Sequence, residues 1–138
     1  MAAAPDGAVR ALASLRRDDD ALASLCQRHE VLLLTAFGST VAGATAPGDL
    51  DLGVLFVRSA PADLLGLLDG LVALTGYDGF DVVDLGRAGP VIRERAMVGA
   101  DILYEREPGT WARESTAAML ERMDTDWLRR LSLEAMAG

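Results

Sequence analysis

Phe37-Gly38-Ser39-Thr40-Val41-Ala42-Gly43-Ala44-Thr45-Ala46-Pro47-Gly48-Asp49-Leu50-Asp51-Leu52 is the stretch on which the reading of this chain turns. An apolar run from Val31 to Phe37 delivers the Gly-Ser pair, and a second apolar run, Leu52 to Val57, carries the two aspartates at its head. Strand side chains alternate between faces, so Asp49 and Asp51 project from one side and Leu50, Leu52, Val54 and Phe56 from the other. Two ionised carboxylates at this spacing repel each other, and strands disfavour Asp. A solvated strand end relieves that cost in part; a bound cation removes it. Hard cations such as Mg²⁺ take oxygen ligands and share them between carboxylates and nucleotide phosphates. Gly38 lets a phosphate approach the backbone, while Ser39 adds a hydroxyl and opens a short helix expected over Ser39 to Ala44. The first N–H groups of such a helix have no intrahelical partner and favour an anion. Taken alone, Gly-Ser is also a common strand-to-helix turn.

Working outward, the apolar spacing predicts helices at 5–16 and around Leu22, Leu25 and Cys26, the second opened by Asp18-Asp19-Asp20. Ala46-Pro47-Gly48 breaks the chain. A helix from Pro61 to Thr75 ends at Gly76. A strand runs from Gly79 to Leu85, a helix from Arg87 to Val98 with Pro90 near its start, and an edge strand from Asp101 to Glu105. A long helix, Thr110 to Leu133, carries Trp111, Met119, Met123 and Trp127. For each of these four, packing on the sheet is the plainer expectation and a partner interface the other. Alternation of helices and strands predicts an α/β layer, and by itself permits a doubly wound parallel sheet.

Composition narrows the function. The 138 residues suit one domain, half are hydrophobic, and no apolar run is long enough to cross a bilayer. The N-terminus lacks the basic segment, apolar stretch and cleavage site of a secretory signal, so a cytoplasmic protein is expected. Net charge is −8, from 13 basic and 21 acidic residues, which argues against a direct nucleic-acid partner. All the basic residues are Arg, so phosphate must be met by metal, backbone N–H or guanidinium. Cys26 is the single cysteine and His29 the single histidine, which rules out an internal disulfide and leaves a buried Cys26 as the expectation.

The Gly-Ser turn and the Asp49-Leu50-Asp51 strand resemble the nucleotidyltransferase superfamily that includes DNA polymerase β. Their spacing is most similar to the minimal nucleotidyltransferases, the MNT family. The similarity continues through Phe80 to Leu85, Arg87, Pro90-Val91-Ile92, Ile102 to Glu105 and Asp124 to Arg129, roughly residues 30 to 130. It implies a polymerase β-like α+β fold with a small mixed sheet covered by helices and a long C-terminal helix. The chain then divides into an N-terminal helical segment (1–29), a catalytic core (30–105) and a C-terminal helix (109–133). The site implied is catalytic and metal-binding Asp49, Asp51 and Asp81, with Asp84 as the alternative third carboxylate. Asp81 and Asp84 are three apart, so a regular strand turns only one of them to the site. Gly38, Ser39 and Thr40 are implied to bind nucleotide, two Mg²⁺ ions to serve as cofactor, and ATP as donor. Thr40 stands where the family often has Arg, and Gly48 where it often has Ser.

The family's role implies an antitoxin that transfers AMP to a tyrosine of a HEPN ribonuclease toxin, encoded by a neighbouring gene, within a hetero-oligomer. Two alternatives accompany it. One is an antitoxin that works by binding alone; the other is an enzyme that modifies a small molecule such as an aminoglycoside.

Overall fold

A computed structural model describes residues 7–38, 40–41 and 49–137, with backbone alone at 125, 136 and 137. The apolar runs form β1 (Val31–Phe37), β2 (Leu50–Phe56), β3 (Phe80–Asp84) and β4 (Asp101–Glu105). Helices α1 (Gly7–Arg17) and α2 (Asp19–Arg28) come first. Then α3 (Leu64–Thr75) links β2 to β3, α4 (Pro90–Met97) links β3 to β4, and α5 (Thr110–Ala137) closes the chain. The expected short helix from Ser39 to Ala44 and the break at 46–48 lie outside the described residues, except that Thr40 and Val41 form a turn.

Strand order is β3-β2-β1-β4. β1 runs antiparallel to both β2 and β4, whereas β2 and β3 are parallel. The sheet is therefore mixed, and the doubly wound parallel alternative is excluded. A parallel neighbour needs a crossover, which α3 supplies. The register brings the end of β1 and the starts of β2, β3 and β4 to one end of the sheet, where Phe37 pairs with Asp51, Asp51 with Asp81, and Ala36 with Asp101.

Each sheet face has its own core. Leu34, Ala36, Leu50, Leu52 and Val54 are buried with Leu12 and Leu15 of α1, Leu22 and Leu25 of α2, and Leu67 and Leu71 of α3. On the other face Leu33, Phe37 and Leu85 meet Ala96 and Met97 of α4 and Ala118 of α5. Each buried leucine contributes about 1.5–3 kcal/mol, so the more apolar first face anchors the fold. The alternation anticipated for β2 holds: Leu50, Leu52, Val54 and Phe56 face the three N-terminal helices, leaving Asp51, Gly53 and Leu55 on the α4 side.

Two helix starts fall later than their expected positions, for local reasons. The Asp63 carboxylate accepts a hydrogen bond from the Gly66 N–H at 2.9 Å and caps α3, so Pro61 and Ala62 stay outside. Pro90 stands at the first turn of α4 and Gly89 before it is extended, with ψ 171°. A residue preceding proline is driven from the helical region, which is why Arg87 is not helical. Asp18 does sit at the start of α2, but without a side-chain capping bond.

Gly53 lets α4 dock. A Cβ there would lie 2.8 Å from Thr35 Oγ1 and 3.2 Å from both the Ala96 Cβ and a Leu85 methyl. Thr35 is fully buried and donates its hydroxyl hydrogen bond to the Ala96 carbonyl at 2.7 Å. Gly53→Val is expected to destabilise the protein by about 2–3 kcal/mol, because overpacking pushes α4 off the sheet. A urea titration followed by circular dichroism reads this as a lower midpoint.

The long helix divides in two. Trp111 donates from Nε1 to the Met97 carbonyl at 2.8 Å and packs on the second core. Met119, Met123 and Trp127 are instead 45, 65 and 61% exposed, against the plainer expectation that they pack on the sheet. Ala118 is the α5 residue buried in the second core, and the stripe formed by Met119, Met123 and Trp127 stays uncovered. No helix among the described residues is long and apolar enough to cross a membrane.

Candidate active site

Parallel pairing of β2 with β3 does what sequence spacing alone could not: it sets Asp81 directly beside Asp51. Burial, and then the negative charge of Asp81, push the Asp51 carboxyl above its ordinary value; Asp49 adds to the push, and the Arg95 guanidinium opposes it. Asp49 and Asp81 are both exposed, so the group opens to solvent.

Gly38 closes the site from β1. Its φ is +83°, and a Cβ there would collide with Oδ2 of Asp51. Glycine is thus required twice, by the left-handed backbone and by the close approach of the carboxylate. Thr40, two residues on, is buried, and its hydroxyl has no hydrogen-bond partner among the described residues. An orphaned buried hydroxyl is costly unless a ligand or water meets it. Ser39 lies outside the described residues.

Asp84 is placed elsewhere. It pairs across from Val54 rather than Asp51, accepts from the Gly86 N–H at 3.0 Å, and its Oδ2 stands 3.9 Å from Arg87 Nε. It shapes the turn that leaves β3. It also lines a cavity of about 360 Å³ with Phe56, Arg58, Arg87, Arg93 and Glu114, at the end of the sheet away from Asp51.

The donor set around Asp51 is all oxygen, which suits Mg²⁺ rather than a thiolate- or imidazole-seeking metal. Asp51 and Asp81 fit such an ion as a contiguous pair. Among the described residues no three His, Cys, Asp or Glu side chains stand close enough to hold an ion by themselves. Asp49 is two residues before Asp51, about 7 Å along the chain, and acts on Asp51 through its charge. Water or phosphate oxygens would complete the coordination of an ion held there, as is usual for Mg²⁺.

The remaining polar residues raised by the sequence are accounted for structurally. Cys26 is buried, and desolvation raises its thiol to about 12, which leaves it unreactive. His29 ends α2, with Nδ1 3.4 Å from Asp63. Two neighbours of the site escaped the sequence reading. Arg95, on α4, is the cation whose charge reaches Asp51, and Tyr77 lies within the field of Asp49. No periodicity or spacing links either residue to the aspartates, because tertiary packing alone brings them together.

Comparison with known proteins bears on the fold. No protein-family model matches the chain, and no curated protein does. Solved structures match it over most of its length. A double Asp-to-Glu mutant of the toxin–antitoxin complex MntA-HpeT aligns at TM-score 0.65 and 15% identity, covering 88% of this chain and 99% of the matched one. A toxin–antitoxin structure with AMP-PNP gives 0.65 and 18%, again covering 88% and 99%. A third is the tri-AMPylated Shewanella oneidensis HEPN toxin in complex with MNT antitoxin, at 0.62 and 16%, covering 90% and 99%. The protein therefore has the polymerase β-like nucleotidyltransferase fold. Its fold is the one shared with the matched chains of these toxin–antitoxin complexes.

Proposed function

We propose that the protein is a nucleotidyltransferase antitoxin that transfers AMP from ATP to a tyrosine hydroxyl of a HEPN toxin. The observation that carries this reading is the pairing of Asp51 with Asp81 against the side-chain-free Gly38. The matched complexes with AMP-PNP and with an AMPylated toxin support it, since they share the fold.

Asp51 and Asp81, with Asp49 beside them, would hold the Mg²⁺ of the reaction, water and phosphate oxygens supplying the remaining ligands. When bound, the metal neutralises charge on the entering and leaving oxygens of phosphoryl transfer. Gly38 lets the triphosphate approach the backbone, and the Thr40 hydroxyl donates to one of its oxygens. Asp81, exposed at the mouth of the site, accepts the proton of the acceptor hydroxyl. The acceptor oxygen bonds to the α-phosphorus, the bond from that phosphorus to the oxygen bridging the β-phosphate breaks, and pyrophosphate leaves with the electron pair. Positioning and charge stabilisation dominate chemistry of this kind.

The site is open, which suits a macromolecular acceptor. The exposed stripe on α5, with Leu120 at 57% and Trp127 at 61%, favours a protein partner whether or not transfer occurs. The test is the intact mass of the neighbouring gene product after incubation with this protein, ATP and Mg²⁺. The expected result is a gain of one or more AMP groups, absent with Asp49→Asn. A stable complex without any gain in mass would replace this reading with an antitoxin that acts by binding alone.

A further inference from the structure

We infer that the cavity at the end of the sheet away from Asp51 is a second ligand site, which takes a small zwitterion with an apolar body, of the kind a free amino acid or a dipeptide offers. It shares no residue with the aspartate site and stands apart from the nucleotidyltransferase reading.

The cavity, about 360 Å³, lies where β2 and β3 end. The two strands are parallel, so their carboxyl ends fall on the same edge, where Phe56-Val57-Arg58 and Asp84 to Arg87 line it. Helix α4 adds Arg93 and Met97, and α5 adds Glu114. Leu55, Leu85 and Met97 belong to the second core and give the cavity an apolar wall. Small-molecule sites commonly have this form, an apolar lining with a few convergent polar groups.

The charges decide what such a site would hold. Arg93 is spent on the fold: Nη1 bonds Glu121 at 2.6 Å, Nε the Leu85 carbonyl at 3.2 Å and Nη2 the Ala88 carbonyl at 3.4 Å. Asp84 accepts from the Gly86 N–H at 3.0 Å, with Arg87 Nε 3.9 Å from its Oδ2. Arg58 and Glu114 remain, neither with a hydrogen bond or ion pair among the described residues. Arg58 and Arg87 are exposed, whereas Glu114 is half-buried. A carboxylate drawn partly out of water without a partner is unusual, because the lost hydration goes uncompensated.

A simple anion attracted by Arg58 and Arg87 would meet the carboxylate of Glu114, and a simple cation would meet the guanidiniums. A ligand bearing both charges satisfies each: its ammonium goes to Glu114, and its carboxylate accepts the paired N–H donors of a guanidinium. The apolar body then lies on Leu55, Leu85 and Met97. With Glu121 on Arg93, three guanidiniums face the three carboxylates of Asp84, Glu114 and Glu121, which suits a ligand of no net charge.

The test titrates the isotope-labelled full chain with L-phenylalanine, L-leucine and the dipeptide L-leucyl-L-phenylalanine, following backbone amides by NMR. At least one of these, at millimolar concentration, is expected to shift the amides of 55–58, 84–87 and 114. N-acetylation of that ligand removes its cation, and amidation removes its anion. Each change should weaken binding to the wild type at least about tenfold, the weight of one charge-assisted contact. Glu114→Gln should weaken the parent ligand by a similar factor and leave the N-acetyl form unchanged or tighter. Arg58→Gln should weaken the parent ligand and spare the amide. Blocked forms that bind the wild type as well as the parent would overturn the proposal, since the cavity would then read one charge or none. Shifts confined to the exposed stripe of α5, or no shift with any of the three ligands, would overturn it as well.

Discussion

Asp51→Asn is expected to abolish nucleotide transfer while making the metal-free protein more stable. Two carboxylates held side by side on parallel strands repel, at a cost of about 0.2–1 kcal/mol for like charges directly opposite each other. The amide removes that repulsion and keeps the side chain's size, so the melting temperature should rise by about 1–3 °C in calorimetry. The same substitution removes a ligand at the point where charge develops in transfer. A loss of at least about a thousandfold in rate is expected, the scale seen when one group that stabilises transition-state charge is deleted.

The pH dependence carries a definite sign. Folding raises the Asp51 carboxyl above its ordinary value, so the native state holds that proton more tightly than the unfolded chain. The stability it contributes is fully present below the unfolded value, near pH 4, and is lost as pH rises through the raised value. Metal-free wild-type protein should therefore lose stability over that rise, and Asp51→Asn should flatten that part of the curve. Mg²⁺ should restore the wild type at neutral pH and leave the variant largely unmoved. An unchanged melting temperature in both proteins on adding Mg²⁺ would remove the metal site from the proposal.

Gly38→Ala is expected to cost both stability and nucleotide binding, although it adds only a methyl group. A left-handed backbone costs an L-residue about 1–2 kcal/mol. The methyl would also collide with Asp51 Oδ2, which must turn away from Asp81 or push β1 from β2. Gly76 is the internal control. It has φ +70° at the end of α3, and a Cβ there would meet nothing within 4 Å. Gly76→Ala should show the conformational cost alone, about 1 kcal/mol in urea, with ATP binding intact. Gly38→Ala should exceed that cost and lose ATP binding by at least about tenfold, the weight of one charge-assisted contact. Equal effects at the two glycines would mean that Gly38 shapes a turn and nothing more.

What was legible in the sequence was whatever local chemistry decides. Leu50, Leu52, Val54 and Phe56 alternate with Asp51, and that period of two predicts a strand with one apolar face and one carboxylate-bearing face. The Asp18–Asp20 cluster, Gly76 and Pro90 mark helix ends because carboxylates beside a helix N-terminus, left-handed glycine and the missing proline N–H act within a few residues of themselves. Helix boundaries shifted where a side chain could substitute for backbone, as Asp63 does at α3. The three-residue spacing of Asp81 and Asp84 required that they face opposite sides, without saying which of them meets Asp51.

Only the tertiary structure decided that. The register of β2 on β3 selects Asp81, and the one-step alternative would have turned the other face of β3 to the site. Pairing β1 antiparallel to β2 is what returns Gly38 to Asp51 and excludes a parallel sheet. Docking of α4 on Gly53 brings the charge of Arg95, 44 positions from Asp51, to the site, and the packing of α5 leaves Met123 and Trp127 exposed. Periodicity in the chain sets which face a side chain occupies. Which faces then meet depends on non-local strand pairing and packing, whose energies are shared among residues far apart in sequence and leave no mark at any one of them.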